Sequence, residues 1–335
     1  MINLALLGAW HVHTEGFLHA ALATNKCQLT AVWDTNEERG KTLAKKYGVP
    51  FIEQLEELLR MEEIHAVMVE CETTLHKDVI IKAARAKKHI FTDKILTTTT
   101  QEAEEIKMEV EENNVSFFIS LESKEIGAYA YAKKLADEGI LGDLTSLYFR
   151  RAHQAALVPT MLPDYWFDAS QTGGGVTLDL GCHGFYLLTH FLGKPNTVTS
   201  RMGERMGTGN DEISTTIVEF EGGAIGTAHT SFLSYKLDNM LEIIGTEGIL
   251  LVSGTPDTTF RMFLQTKNKL GYEELTLVPA TQFPEDVMPS AEFVEMLSVG
   301  EKEHPLYNMQ CALELTRLVE SAYESAKSNT TMEIH

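Results

Sequence analysis

Five short β-type runs, each bordered by an amphipathic stretch, fill about the first 120 residues: "INLALLG", "QLTAVWD", "AVMVEC", "HIFTD" and "VSFFIS". Strands that alternate with helical segments predict βαβ units, hence a parallel sheet with helices on both faces. "AVMVEC" is apolar almost without interruption, the pattern of a strand buried on both sides. The expected architecture is therefore α/β, with an N-terminal Rossmann-type doubly wound sheet.

Beyond residue 123 the pattern changes. A helical stretch, "EIGAYAYAKKLADEG", reaches Gly139, a suitable C-cap. Long β-type runs then dominate: "LTSLYFRRAH", "ISTTIVEFEGGAIGTAHTSF", "NMLEIIGTEGILLVSG" and "EELTLVP". Glu221, Gly222 and Gly223 mark a hairpin turn inside the second of these. The expectation is a doubly wound, dinucleotide-binding domain over 1–122, then an α+β domain over 123–335 with a large, mostly antiparallel sheet. The last helical stretch, "NMQCALELTRLVESAYESAKS", is expected to pack back onto the body.

Of the 335 residues, 48 are acidic and 28 basic, and the net charge of -20 repels phosphate backbones and anionic membranes. Nucleic acid and membrane are accordingly not expected as partners. Cys27, Cys71, Cys182 and Cys311 are far apart and show no zinc spacing, which fits a reduced cytoplasmic setting. "INLALLG" lacks the basic lead and the length of a signal peptide.

In a doubly wound fold the first strand-to-helix turn presents backbone N–H groups to a pyrophosphate. "LLGAWHVHTEGF" occupies that turn; Gly8 fills the first glycine position, Trp10 the second and His13 the third. Asp34 ends the second β run, where an acid accepts hydrogen bonds from an adenosine ribose and repels a 2′-phosphate, favouring NAD. Arg39 lies close enough to keep NADP in play. A helix-capping role for Asp34 stands as an equal reading.

His11 and His13 form an H-x-H pair, but no third ligand at a recognised spacing accompanies them, so no metal is expected. Lys94 follows the "HIFTD" run, at the strand edge where such sheets bind ligands, and a buried cation there would stabilise an alkoxide. In "GGGVTLDLGCHGFYLLTHFLG", Asp179 and His183 are four apart and share one face of a helical turn. A carboxylate beside an imidazole is what proton transfer needs.

These residues resemble the Gfo/Idh/MocA oxidoreductases over nearly the whole chain. "GAWHVH" matches the family's glycine loop, "DKI" its lysine motif, "YWFDASQTGGGVTLDLGCH" its W…GGG…D-x-G-x-H segment and "IGTEG" its second-domain turn. The resemblance implies a nicotinamide cofactor held by Gly8, Trp10, His11, Val12, Asp34, Arg39, Glu72, His76, Asp93 and Lys94. It makes Lys94, Asp179 and His183 the catalytic residues, and brings Lys124, Arg151, His153, Tyr165 and Trp166 in with Asp179 and His183 at the substrate. The family's pattern is altered by Trp10 for a glycine, Glu72 for a proline, and Tyr186 where members often carry Asp or Asn.

The implied reaction is hydride transfer between NAD(P) and a secondary hydroxyl of a sugar, sugar acid or polyol, with His183 taking the proton and Lys94 holding the oxygen. Two alternatives are a non-catalytic dinucleotide or sugar sensor and an NAD-dependent glycoside-cleaving enzyme. A homo-oligomer is expected.

Overall fold

The computed structural model describes residues 1–235, 239–255 and 259–334. The chain forms two compact units, Met1–Glu122 with Val287–Thr316, and Ser123–Asp286 with Arg317–His335. The first boundary coincides with the change of pattern at 122/123. The stretch 287–316, expected in the second domain, belongs instead to the first unit.

The first unit begins β1 (Ile2–Leu7), α1 (Thr14–Ala23), β2 (Cys27–Trp33), α2 (Glu37–Tyr47) and α3 (Leu55–Leu59). It continues through β3 (Ala66–Val69), α4 (His76–Arg85), β4 (His89–Thr92), α5 (Thr100–Asn113) and β5 (Phe117–Ile119). The five strands pair in the order β2-β1-β3-β4-β5, all parallel. Strand order reverses between β1 and β3, and at this switch point the loops leaving the carboxyl ends diverge to leave a crevice. All four residues of β3 are buried, as its unbroken apolar run requires.

The second unit holds α6 (Gly127–Asp137), β6 (Leu144–Ala152), α7 (Ala169–Thr172), a π-helical turn at Thr177–Gly181, and α8 (Cys182–Leu192). Strands β7 (Pro195–Gly203), β8 (Ile213–Phe220), β9 (Ile225–Ser231), β10 (Asn239–Gly245), β11 (Gly248–Gly254), β12 (Arg261–Thr266) and β13 (Thr276–Val278) follow. With β14 (Met332–Glu333) they make a nine-stranded sheet, order β13-β12-β11-β10-β6-β9-β8-β7-β14, in which only β6 and β9 run parallel. The expected hairpin joins β8 to β9, where Gly223 takes φ +82° and Phe220 N–H donates to Ala224. α6 ends as expected, its C-cap Glu138 followed by Gly139 at φ +72°.

One face of this sheet packs on α8: a side chain at Gly184 would press on Ala228 Cβ at 2.8 Å and on Phe149 at 3.0 Å. Helix α9 (Pro289–Ser298) then lies against α1 in the first unit. Ser290 Oγ donates to the Phe17 carbonyl, and the Phe293 ring sits 5.8 Å from those of Phe91 and Phe118. These apolar contacts explain why the segment returns to the first unit. The last helix is α10 (Met309–Ser328). Among the described residues, no helix is long and apolar enough to cross a membrane.

Candidate active site

The loop after β1 is built around Gly8. Its φ of +95° suits glycine, and a Cβ there would lie 2.6 Å from the Cys71 backbone. The loop is pinned across the switch point: Gly8 N–H donates to Trp33, and the Trp10 and His11 N–H groups both donate to the Glu70 carbonyl. Trp10 is 2% exposed, so its indole is packed inside the protein rather than projecting as a loop side chain.

Beside this loop lies a cavity of about 620 Å³, lined by Ala9, His11, Val12, Asn36, Arg39 and Lys46 among others. Asp34 is hydrogen-bonded to three of the lining residues, Ala9, Asn36 and Arg39. One oxygen accepts from Ala9 N–H (2.8 Å) and Arg39 Nε (2.9 Å), the other from Asn36 N–H (2.8 Å) and Arg39 Nη2. Asp34 thus holds the loop and the guanidinium instead of standing ready for a ribose, because Arg39, on the first turn of α2, reaches back to it. The cap of α2 is Asn36, which accepts from Arg39 N–H. Glu72 accepts from Thr35 Oγ1 (2.8 Å) and from Arg39 Nη2 (3.3 Å). A cation between two carboxylates offers little net charge to an added phosphate.

His76 is buried and bridges carbonyls, with Nδ1 3.1 Å from those of Ile95 and Leu96 and Nε2 3.2 Å from that of Cys71. It braces the segment that carries Lys94, and burial lowers its pKa. Lys94, 5% exposed, follows Asp93, whose Oδ1 accepts the Lys94 N–H. Burial opposes the Asp93 charge, yet His11, His13 and Lys94 outweigh it and hold the carboxyl well below its usual range.

Sequence reasoning passed over Glu70. It is fully buried at the end of β3, and burial followed by the charge of Asp93 pushes its carboxyl well above the ordinary value. An acid closing a strand without other polar residues was the available signal.

In the second unit the GGG segment is shaped by close backbone approach. A Cβ on Gly175 would fall 2.2 Å from the Asp211 carbonyl oxygen, and one on Gly174 would fall 2.5 Å from Tyr323 Oη. Asp211 accepts from Gly175 N–H (3.1 Å), Thr177 N–H (2.8 Å) and Tyr323 Oη (2.8 Å). Neither Asp211 nor Tyr323 carries a local motif; each matters only because the fold sets it beside the glycines.

This anchored segment leads into the π-helical turn that bears Asp179 and on into α8, which bears His183. Single π turns within helices are frequent at functional sites. Trp166 Nε1 donates to Asp179 (3.2 Å). Fully buried His183 has its Nδ1 2.6 Å from Tyr186 Oη and 3.0 Å from Ser123 Oγ. Ser123 N–H donates to the same phenol oxygen (3.1 Å), which fixes that oxygen against the imidazole. The imidazole is oriented by Tyr186 and Ser123.

Arg151 Nη1 donates to Ser123 Oγ at 3.3 Å, and Lys124 is buried beside it in sequence. The His153 ring stacks on Phe232, 5.0 Å between centroids. Tyr165 and Trp166 share a 3₁₀ turn, Asp164–Phe167.

The profile of an oxidoreductase family with an NAD-binding Rossmann fold matches residues 2–121, and that of the Gfo/Idh/MocA C-terminal domain matches residues 129–251. The chain belongs to the Gfo/Idh/MocA oxidoreductase family.

Scyllo-inositol 2-dehydrogenase (NAD(+)) of Bacillus subtilis (strain 168) is 28% identical over 262 residues, 75% of this chain and 73% of that protein. The 1,5-anhydro-D-fructose reductase of Ensifer adhaerens is 25% identical over 287 residues, 84% of this chain and 85% of that one. Among solved structures, levoglucosan dehydrogenase in complex with NADH and levoglucosan shares the fold, with a TM-score of 0.87, 17% identity and 99% of each chain covered.

The first unit of this family member fits a dinucleotide on its own geometry. The tight turn at Gly8 and the cavity beside it, lined by Ala9, Val12, Arg39 and Lys46, leave room for the group at the carboxyl edge of the sheet. Gly8, His11, Val12 and Arg39 would hold it, and when bound it supplies hydride chemistry.

Proposed function

We propose that this oxidoreductase interconverts a secondary hydroxyl and a ketone on a sugar, sugar acid or polyol, with NAD preferred over NADP. The observation that carries the reading is a buried ammonium: Lys94 at the carboxyl edge of a parallel sheet, where this architecture binds ligands. Lys94 stabilises negative charge developing on the substrate oxygen. His183, held through Nδ1 by Tyr186 and Ser123, exchanges the hydroxyl proton through Nε2. Asp179, Lys124, Arg151, His153, Tyr165 and Trp166 position the rest of the substrate.

The flanking of Arg39 by Asp34 and Glu72 supports NAD, since both carboxylates repel a 2′-phosphate. The names of the inositol and anhydrosugar relatives support the substrate class. The work is cytoplasmic, in keeping with four cysteines of which none forms a disulfide. Homo-oligomerisation is supported by the other face of the nine-stranded sheet, where the pairing register puts Ile217, Ile225, Ile244 and Leu277 on one side and leaves each more than a third exposed.

The test is NADH formation by wild type and Lys94→Ala across a panel of inositols, aldoses and anhydrosugars. Turnover by wild type and a fall of at least ~100-fold in the variant are expected. Undiminished turnover in Lys94→Ala overturns its role, and NAD binding without net NADH on any panel member overturns the dehydrogenase reading.

A further inference from the structure

The H-x-H pair in the glycine loop lacked a third ligand in the sequence, and the fold supplies one. Asp93, 80 residues beyond His13 and at the end of β4, comes to the same place. One donor atom from each of His11, His13 and Asp93 lies within 4.8 Å of the others. Asp93 Oδ2 is 2.7 Å from His11 Nδ1 and 3.6 Å from His13 Nδ1.

Two atoms of this cluster, Asp93 Oδ2 and His13 Nδ1, are buried against one another. His11 Nδ1 already faces the His13 backbone N–H at 3.2 Å, which calls for a lone pair rather than a proton on that nitrogen. Asp93 Oδ2 and His13 Nδ1 are buried atoms that find no aligned hydrogen-bond partner. Asp93 Oδ1 accepts the Lys94 N–H and so fixes the carboxylate with Oδ2 toward the imidazoles. Two imidazoles and a carboxylate gathered within 4.8 Å supply the donor types of a transition-metal ligand set.

We propose that His11, His13 and Asp93 form a binding site for a divalent first-row transition-metal ion, Zn²⁺ being the ion that best suits this donor set. Two imidazoles and one carboxylate are a recurrent three-ligand set that leaves a coordination position for water or another ligand. The charges around the cluster are Asp93, Glu70 and Glu122, which favour a cation, and the Lys94 ammonium, which opposes one. Glu70 Oε1 is buried without a hydrogen-bond partner, and a dication nearby gives Glu70 and Asp93 a counter-charge. His13, with 34% of its side chain exposed, is the ligand nearest solvent. The site shares His11 with the loop that would hold the dinucleotide, and its test reads metal uptake, which is separate from turnover.

The experiment uses the full chain stripped with a chelator, titrated with Zn²⁺ against a chromophoric competitor, and loaded in parallel with Co²⁺ for its visible absorption. One ion per chain is expected. Loss of a hydrogen-bond partner that orients a ligand already costs about 10–100-fold in metal affinity. Removing a ligand in His13→Ala or Asp93→Asn is therefore expected to weaken binding on the order of 100-fold and to bleach the Co²⁺ bands. His19→Ala, an exposed histidine on α1, should leave both unchanged. Circular dichroism melts of each variant separate loss of ligand from loss of fold, and His13→Ala carries the test if Asp93→Asn does not fold. Absence of stoichiometric uptake, or uptake indifferent to both ligand substitutions, overturns the site.

Discussion

Replacing Asp211 with alanine removes the fastening of the segment that bears Asp179 and His183. Three donors lose a charged acceptor at once: Gly175 N–H, Thr177 N–H and Tyr323 Oη, at 3.1, 2.8 and 2.8 Å. A hydrogen bond to a charged group contributes about 1.5–3 kcal/mol. Asp211 is half-buried, so water recovers part of that, and Gly175 N–H retains Tyr323 Oη at 3.1 Å as a second acceptor. The expected loss for Asp211→Ala is ~3 kcal/mol, with Asp211→Asn, which keeps one carbonyl oxygen, near half of it.

Urea denaturation followed by circular dichroism measures the loss, and NADH formation on a substrate that wild type turns over measures its consequence. The turnover number should fall with stability, because the π turn and the start of α8 depend on this anchor. A double-mutant cycle with Tyr323→Phe should show coupling of at least ~0.5 kcal/mol, since the two side chains touch. A destabilisation below ~1 kcal/mol for Asp211→Ala, with additive behaviour in the cycle, would refute the anchoring argument.

Two further outcomes follow from single sites. Gly8→Ala forces a Cβ into the Cys71 backbone at φ +95°, so thermal stabilisation by NAD should vanish or shrink at least ~10-fold in apparent affinity, as read by a melting titration. Burial, then the charges of Lys124 and Lys133, holds the His190 imidazole down to about 3, against a partial pull upward from Asp137. An unfolded histidine takes up its proton near pH 6.5 while the folded one resists. The contribution of His190 is therefore full above that pH and is lost as pH falls from about 6.5 toward 3, at no more than ~1.4 kcal/mol per unit. His190→Asn should flatten urea midpoints between pH 7 and 5 relative to wild type, and unchanged midpoints would remove His190 as a source of acid sensitivity.

Much of the fold was legible because it is encoded locally. An unbroken apolar "AVMV" permits little besides a strand buried on both sides, and the Glu221-Gly222-Gly223 turn closes the β8–β9 hairpin within a few residues. The return of 287–316 to the first unit was not legible. Phe293 finds its place through Phe91 and Phe118, residues about 200 and 175 positions away, and no periodicity reports such a distance.

The same division runs through the site. Composition, strand and helix periods and the short motifs around Gly8, Lys94 and His183 determined the family and which residue types would carry its chemistry, because backbone conformation and motif spacing are properties of neighbours in the chain. Tertiary structure alone decided the partners of those residues: Arg39 occupying Asp34, Tyr186 and Ser123 orienting His183, Asp211 holding the GGG segment, and Asp93 completing the histidine pair. Hydrogen bonding and ligand geometry act through space over a few ångströms. They come into being only when strand ends far apart in sequence are brought to the same edge of a sheet.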